Sequence, residues 1–239
     1  MADLAGTTAL EPDHDTARSV RWWSGSIPSG QLQADTAARC NFSNVLDLLP
    51  FDEQPFLLPV HPTDTPLTYA ALRRFLLHAR SMLVGLAVGD RVGLALPNGP
   101  ALATCFIVLP ALGLTLCPLN PELSVEEMAF ELSDLPAAAL IVPALQHGAS
   151  SARAAAAALS VRLIELEPDP TACGLFRASW STPAAAAAAA GALPPTWQPG
   201  RDDVCLVMHT SGTTRRPSNT GGIRTNADWL VRRLRCWLA

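Results

Sequence analysis

Hydrophobic positions between residues 68 and 96 change from the spacing of a helix to that of a strand. Apolar residues after Thr68 recur every three or four positions, and arginines occupy the opposite side. Thr68 is a residue type that caps helices, and Gly89-Asp90 is a turn signal. The pattern predicts a helix from Thr68 that ends before Gly89, followed by a strand at 92–96. The predicted apolar stripe consists of Leu72, Phe75, Leu76, Ala79, Leu83 and Leu86.

The alternation of helical and strand patterns continues to residue 166 and resumes at residue 203. Ser124 and Glu127 have the spacing of a capping box, with an apolar stripe behind them. Further helices are predicted at 99–112 and 151–159, and further strands at 114–118, 137–142, 161–166 and 203–208. Repeated strand–helix–strand units predict parallel pairing. We therefore expect an α/β fold, with a mostly parallel sheet flanked by helices.

Thirty residues between Arg91 and Glu122 carry no charge, which is long enough to span a membrane. Pro110 and Gly113 divide this stretch, however, and Asn120-Pro121 closes it. A buried helix followed by a buried strand explains this punctuation better than a membrane span does.

The composition suggests five segments. Residues 1–43 show no sustained periodicity and are expected to be a mobile tail. The α/β pattern occupies 44–177, and seven consecutive alanines between prolines suggest a linker at 178–200. Residues 201–218 are expected to form a strand and a loop. The tail at 219–239 fits either a basic amphipathic helix or an accidental end of the reading frame, and we favour the second.

Composition limits the chemistry that the chain can perform. Apolar residues make up 49% and the net charge is −4, so nothing global indicates a nucleic acid or an anionic membrane as partner. All 17 basic residues are arginine, which excludes a lysine nucleophile. The six cysteines form no CxxC pair and the N-terminus lacks a signal-peptide pattern, which favours an intracellular compartment. Four acidic residues have the spacing of a solvated helix face and not of metal ligands: Glu126, Glu127, Glu131 and Asp134.

The segment "HTSGTTRRPS", residues 209–218, follows the predicted strand at 203–208 directly. Ligands of parallel sheets collect at the carboxyl ends of strands. Hydroxyl side chains and a glycine without Cβ allow close approach to phosphate oxygens, and Arg215 and Arg216 offer countercharge. Composition alone leaves a phosphate site and an ordinary Ser/Thr/Gly-rich surface loop equally open.

This segment resembles the TSGTTGxPK phosphate loop of the adenylate-forming enzymes, the acyl-CoA synthetase or AMP-binding family. The upstream blocks "LPNGP" and "PLNP" resemble the same family in the same order, over roughly residues 65–218. In detail the chain is most similar to the oxalate–CoA ligase (peroxisomal AMP-binding) branch. The resemblance implies the first part of the family's large domain, in the cytoplasm or the peroxisome.

The resemblance also implies a reaction in two steps. A carboxylic acid attacks ATP to give an acyl-adenylate, and coenzyme A then displaces AMP; Mg²⁺ assists. Transferred residue by residue, the motif implies that the β- and γ-phosphates are held by Thr210, Ser211, Gly212, Thr213, Thr214 and Arg216. No catalytic residue and no metal ligand is implied within this chain.

Two positions depart from the motif, because Arg215 replaces its glycine and Ser218 replaces its closing lysine. The resemblance ends at Ser218, so we expect a truncated fold that does not complete the reaction alone. The alternative is a non-catalytic remnant or a weak nucleotide-binding or interaction module from a truncated or mis-assembled gene.

Overall fold

The first described elements are a short antiparallel pair of strands and the helix that follows it. The computed structural model describes residues 45, 49–59, 61, 63–181, 199–208 and 224–225. The chain divides into units 1–41 and 42–239, and all described residues lie in the second. Strand β1 (Pro55–Leu57) pairs with β2 (Leu67–Thr68), and helix α1 (Tyr69–Met82) begins at once after β2.

Helix α1 confirms the pattern predicted for it. The hydroxyl of Thr68 accepts a hydrogen bond from the Ala71 N–H at 3.1 Å, which satisfies one of the free N–H groups of the first turn. The helix buries Leu72, Phe75, Leu76 and Ala79. Leu83 and Leu86 are also buried but lie beyond its last residue.

The remaining seven strands form one sheet, and helices lie between several of them in the chain. Its strands are β3 (Arg91–Leu94), β4 (Thr115–Pro118), β5 (Ala139–Pro143), β6 (Arg162–Pro168), β7 (Phe176–Trp180), β8 (Val204–Leu206) and β9 (Arg224–Thr225). The helices between them are α2 (Pro100–Ala111), α3 (Val125–Asp134) and α4 (Ser150–Ala158), with a single 3-10 turn at Leu145–His147. The order across the sheet is β7-β6-β5-β3-β4-β8-β9.

The five central strands of this sheet are parallel, and the outer strands β7 and β9 are antiparallel to their neighbours. Two hydrophobic clusters cover its faces. One contains the apolar residues of α1 and α2, and the other contains those of α3 and α4. In β5, Ile141 belongs to the first cluster while Leu140 and Val142 belong to the second, as expected for a strand buried on both sides. The predicted α/β fold is confirmed.

Strand β7 was not predicted from the sequence. It places Ala178–Trp180 in the sheet, although the composition assigns these three residues to a linker. The Ala178 N–H donates to Met82 Sδ at 3.2 Å, and the Trp180 indole N–H donates to the Val84 carbonyl at 2.9 Å. These bonds attach the edge strand to the end of α1. Residues 182–198 lie outside the described part of the chain.

The long uncharged stretch forms α2 and β4, as predicted. Within the described ranges, no helix has the length and apolar character required to cross a membrane. Cys105, Cys117 and Cys205 are buried and form no disulfide. Burial raises the pKa of the Cys105 thiol to about 12, which keeps it protonated and unreactive.

Candidate functional site

Strand β8 carries the candidate phosphate loop. It runs parallel to β4, with Leu206 opposite Leu116. One residue later the Val207 N–H donates to the Leu116 carbonyl at 3.0 Å, and the Val207 side chain is buried. Met208 is 44% exposed. The chain therefore leaves the sheet at the carboxyl ends of the parallel strands, where ligands of α/β folds bind.

The predicted phosphate-binding residues themselves lie outside the described residues. They are Thr210, Ser211, Gly212, Thr213, Thr214 and Arg216. Their contacts with phosphate stay a prediction. Residues 226–239, for which a basic amphipathic helix was the less favoured interpretation, also lie outside the described residues. The structure describes the strand that leads into this segment and the strand that follows it.

The chain returns to the same place after the candidate loop. In β9, Arg224 lies opposite Leu206 and Thr225 lies opposite Val204, and the two strands are antiparallel. The backbone on both sides of residues 207–223 is thus held at the carboxyl end of β8. The sequence did not predict this return, because the two residues of β9 carry no recognisable strand pattern.

Two other turns lie at the carboxyl edge beside β8. Asn98 and Gly99 follow β3 and lead into α2, whose first helical residue is Pro100. Asn120 follows β4, and its side-chain oxygen accepts a hydrogen bond from the Glu122 N–H at 3.0 Å. Since neighbouring strands are about 5 Å apart, β4 lies about 5 Å and β3 about 10 Å from β8 across the sheet.

Helix α3 starts at this edge with the predicted capping box. The Ser124 hydroxyl accepts from the Glu127 N–H at 3.2 Å, and a Glu127 carboxylate oxygen accepts from the Ser124 N–H at 3.0 Å. This bonding lowers the pKa of Glu127, chiefly through the Ser124 backbone N–H. Within the described part of the chain, no three His, Cys, Asp or Glu side chains gather as they would around a metal ion.

One arginine among the described residues of the carboxyl edge, Arg153, is engaged in the fold. Arg153 of α4 donates to the Pro143 carbonyl at the end of β5 at 2.6 Å and forms an ion pair with Glu165 of β6. Its side chain is 14% exposed.

One residue that the sequence did not single out holds β8 in place. Thr115, at the start of β4, donates its hydroxyl to the Val204 carbonyl at 2.7 Å. A threonine inside an apolar run carries no signal of this contact, because its partner lies 89 residues further along the chain.

Comparison with known proteins identifies the family of this chain. The family model described as "AMP-binding enzyme" matches residues 53–217, which includes β8 and the candidate loop. The chain belongs to the AMP-binding enzyme family. The family resemblance read from the sequence is thereby confirmed.

Relatives of this chain include proteins named as a CoA synthase and a CoA ligase. The chain is 33% identical over 177 residues to a feruloyl-CoA synthase of Amycolatopsis sp., which covers 73% of this chain and 32% of that protein. It is 31% identical over 157 residues to the long-chain-fatty-acid–CoA ligase FadD13 of Mycobacterium tuberculosis, covering 65% and 29%. The chain thus spans about a third of the length of these relatives.

Solved structures share the fold. ATP-bound MatB from Rhodopseudomonas palustris matches with a TM-score of 0.58 and 24% identity, over 81% of this chain and 37% of that one. The N-terminal domain of FACL13 from Mycobacterium tuberculosis, in an inhibitor-bound crystal structure, matches with a TM-score of 0.53 and 24% identity. That match covers 77% of this chain and 45% of the other.

Proposed function

We propose that this chain supplies the ATP-binding part of an AMP-dependent acid–thiol ligase. The observation that carries the proposal is the position of β8. Its carboxyl end leads within two residues of Val207 into the segment that starts at His209, and the family match extends to residue 217. The ATP-bound state of MatB, which has the same fold, supports the same ligand here.

In the proposed site the loop segment binds the β- and γ-phosphates of ATP. Backbone N–H groups around Gly212 and the hydroxyls of Thr210, Ser211, Thr213 and Thr214 donate to phosphate oxygens. Gly212 matters because a Cβ would keep the backbone away from the phosphates. Arg216 supplies a fixed positive charge that can bind two oxygens at once.

The charge balance of the proposed site differs from that of the family motif. Ser218 stands where the motif has lysine, so the loop loses a mobile ammonium group. Arg215 and Arg216 carry the compensating charge in this proposal. Mg²⁺ would neutralise further phosphate charge when bound, and coenzyme A would be the acceptor thiol. The described residues bring together no ligand set for the metal.

The acid is proposed from sequence detail alone. The blocks around Pro97–Pro100 and Pro118–Pro121, with "HTSGTT", resemble those of oxalate–CoA ligases, so oxalate is the first substrate to test. The relatives named above are a feruloyl-CoA synthase and a long-chain-fatty-acid–CoA ligase, so ferulate and a long-chain fatty acid are the comparison acids. An intracellular site of action, cytoplasmic or peroxisomal, goes with this proposal and is supported by the described cysteines, which form no disulfide.

Binding of ATP to the purified chain tests the proposal directly. We expect calorimetric titration with ATP and Mg²⁺ to show binding, and Gly212→Val to weaken it at least tenfold, about 1.4 kcal/mol. Gly200→Val changes a glycine that precedes β8 and serves as the matched control. We expect no pyrophosphate release with oxalate, ferulate or palmitate, because the chain covers a third of the relatives' length. A folded chain that does not bind ATP would favour the alternative of a non-catalytic interaction module.

A further inference from the structure

Among the described residues, two buried polar side chains use their hydroxyl groups in different ways. Thr104 in α2 and Thr115 in β4 are 0% and 3% exposed. The Thr104 hydroxyl has no hydrogen-bond partner, whereas the Thr115 hydroxyl donates to the Val204 carbonyl at 2.7 Å. Burial of a hydroxyl is unfavourable unless it is bonded. The bond made by Thr115 is therefore the feature that distinguishes these two sites.

The Thr115 bond reinforces a short contact between strands. The pairing of β4 with β8 has one residue pair, Leu116 with Leu206, and continues with the bond from Val207 to Leu116. The Thr115 hydroxyl adds a bond at the other end of this contact, on the Val204 carbonyl. It thus secures the amino end of β8 while Val207 secures its carboxyl end.

Thr115 is itself fixed to the centre of the sheet. Its backbone N–H donates to the Asp90 carbonyl at 2.9 Å, just before β3. It therefore links the last residue before β3 to the first residue of β8. A cavity of about 270 Å³ lies beside this link and is lined by Arg91, Thr115 and Val204, among others. The cavity leaves the packing on this side of the amino end of β8 open. The Thr115 hydroxyl bond therefore contributes more to the position of β8 than it would in a filled core.

We propose that Thr115 is a positioning residue for the phosphate loop. Its hydroxyl holds β8 in register with β4, so that the chain leaves the carboxyl edge of the sheet at one fixed point. This inference rests on the proposed function, since the loop is assigned to ATP there. Thr115 does not contact ATP in this proposal; it acts through β8.

Two variants of Thr115 separate the hydroxyl from the shape of the side chain. Thr115→Val keeps the volume and loses the donor, whereas Thr115→Ser keeps the donor. Thr104→Val is the matched control, because it removes a buried hydroxyl that holds nothing. In the full chain, ATP affinity is measured by calorimetry, and the amide exchange rate of Val207 is compared with that of Ile141 in β5 by NMR or mass spectrometry.

We expect Thr115→Val to weaken ATP binding about fivefold and to speed exchange at Val207 by a similar factor, the loss that one neutral hydrogen bond produces. Ile141 should be unchanged, Thr115→Ser should restore both values within about twofold, and Thr104→Val should change neither. Unchanged exchange and affinity in Thr115→Val would overturn the inference. Equal acceleration at Ile141, or failure of this variant to fold, would also overturn it by showing a role in the whole sheet.

The result for the unchanged chain separates this inference from the proposed function. If the unchanged chain does not bind ATP, the ligase proposal fails, and with it the role of Thr115 towards ATP. The exchange rate of Val207 then decides independently whether the hydroxyl holds β8. If the unchanged chain binds ATP and Thr115→Val binds it equally well, only the positioning role fails.

Discussion

Gly174 lies just before β7 in a place that has no room for a side chain. A Cβ built on it would lie 2.8 Å from the Thr104 hydroxyl oxygen, 2.9 Å from a Leu57 methyl carbon and 3.0 Å from the Pro100 carbonyl oxygen. The φ angle of Gly174 is +84°, in the left-handed region that favours glycine. Because the Pro100 oxygen belongs to the backbone of α2, it cannot move aside without a shift of the helix.

Replacement of Gly174 by alanine therefore combines two costs. The left-handed backbone costs about 1–2 kcal/mol for a residue with a Cβ, and an inserted methyl group in a filled space costs about 1–3 kcal/mol. We expect Gly174→Ala to lower the free energy of unfolding by about 2–5 kcal/mol. Gly89→Ala is a matched control, because Gly89 has a φ of +82° and no atom within 4 Å of a built Cβ. Its loss should be about 1–2 kcal/mol.

Urea denaturation followed by far-ultraviolet circular dichroism measures both variants. The difference between them isolates the steric cost, because their backbone angles are nearly the same. Thr104→Ala added to Gly174→Ala should recover part of the loss, since it removes the nearest of the three atoms. Equal destabilisation by Gly174→Ala and Gly89→Ala would refute the reasoning from close packing.

Two further predictions concern charged groups of the fold. Arg153→Met leaves the Glu165 carboxylate, which is 22% exposed, without its partner, so unfolding free energy should fall by about 2–3 kcal/mol. The double variant with Glu165→Leu should recover most of it in urea denaturation; no recovery would contradict a charge-based cause. The lowered pKa of Glu127 means that its stabilisation is present above the ordinary carboxyl range and is lost as the pH falls through the lowered value. Glu127→Gln should thus be less stable than the unchanged chain at neutral pH, with melting temperatures that converge in acid. Glu126→Gln, on the same turn, is the control, and a gap that persists at low pH would count against the capping carboxylate.

Local signals in the sequence predicted much of the fold. The capping residues Thr68 and Ser124 act within one turn of their own helix, and periodic apolar stripes depend only on neighbouring positions. These features are visible in any short window of sequence. The parallel pairing of the central strands was predicted from the alternation of strand and helix, because two parallel strands need a crossover connection.

Features that depend on distant pairing could not be read in the same way. Strand β7 pairs with β6 through residues such as Ala178 that composition associates with a linker. Thr115 and Val204 lie in strands that were each predicted, but no local signal predicts the bond between them, and β9 carries no strand pattern of its own. For the candidate site, the sequence identified the residue types suited to phosphate, while the structure shows which strand leads to them and where the chain returns.

Because Leu206 pairs with Arg224, the segment between them begins and ends at adjacent positions of the sheet. Insertions, deletions or replacements between residues 209 and 223 therefore need not alter the register of the strands on either side. The two departures from the family motif, Arg215 and Ser218, lie within this segment. Exchange of residues 209–223 for the matching segment of a family relative is accordingly a practical way to test what this segment contributes.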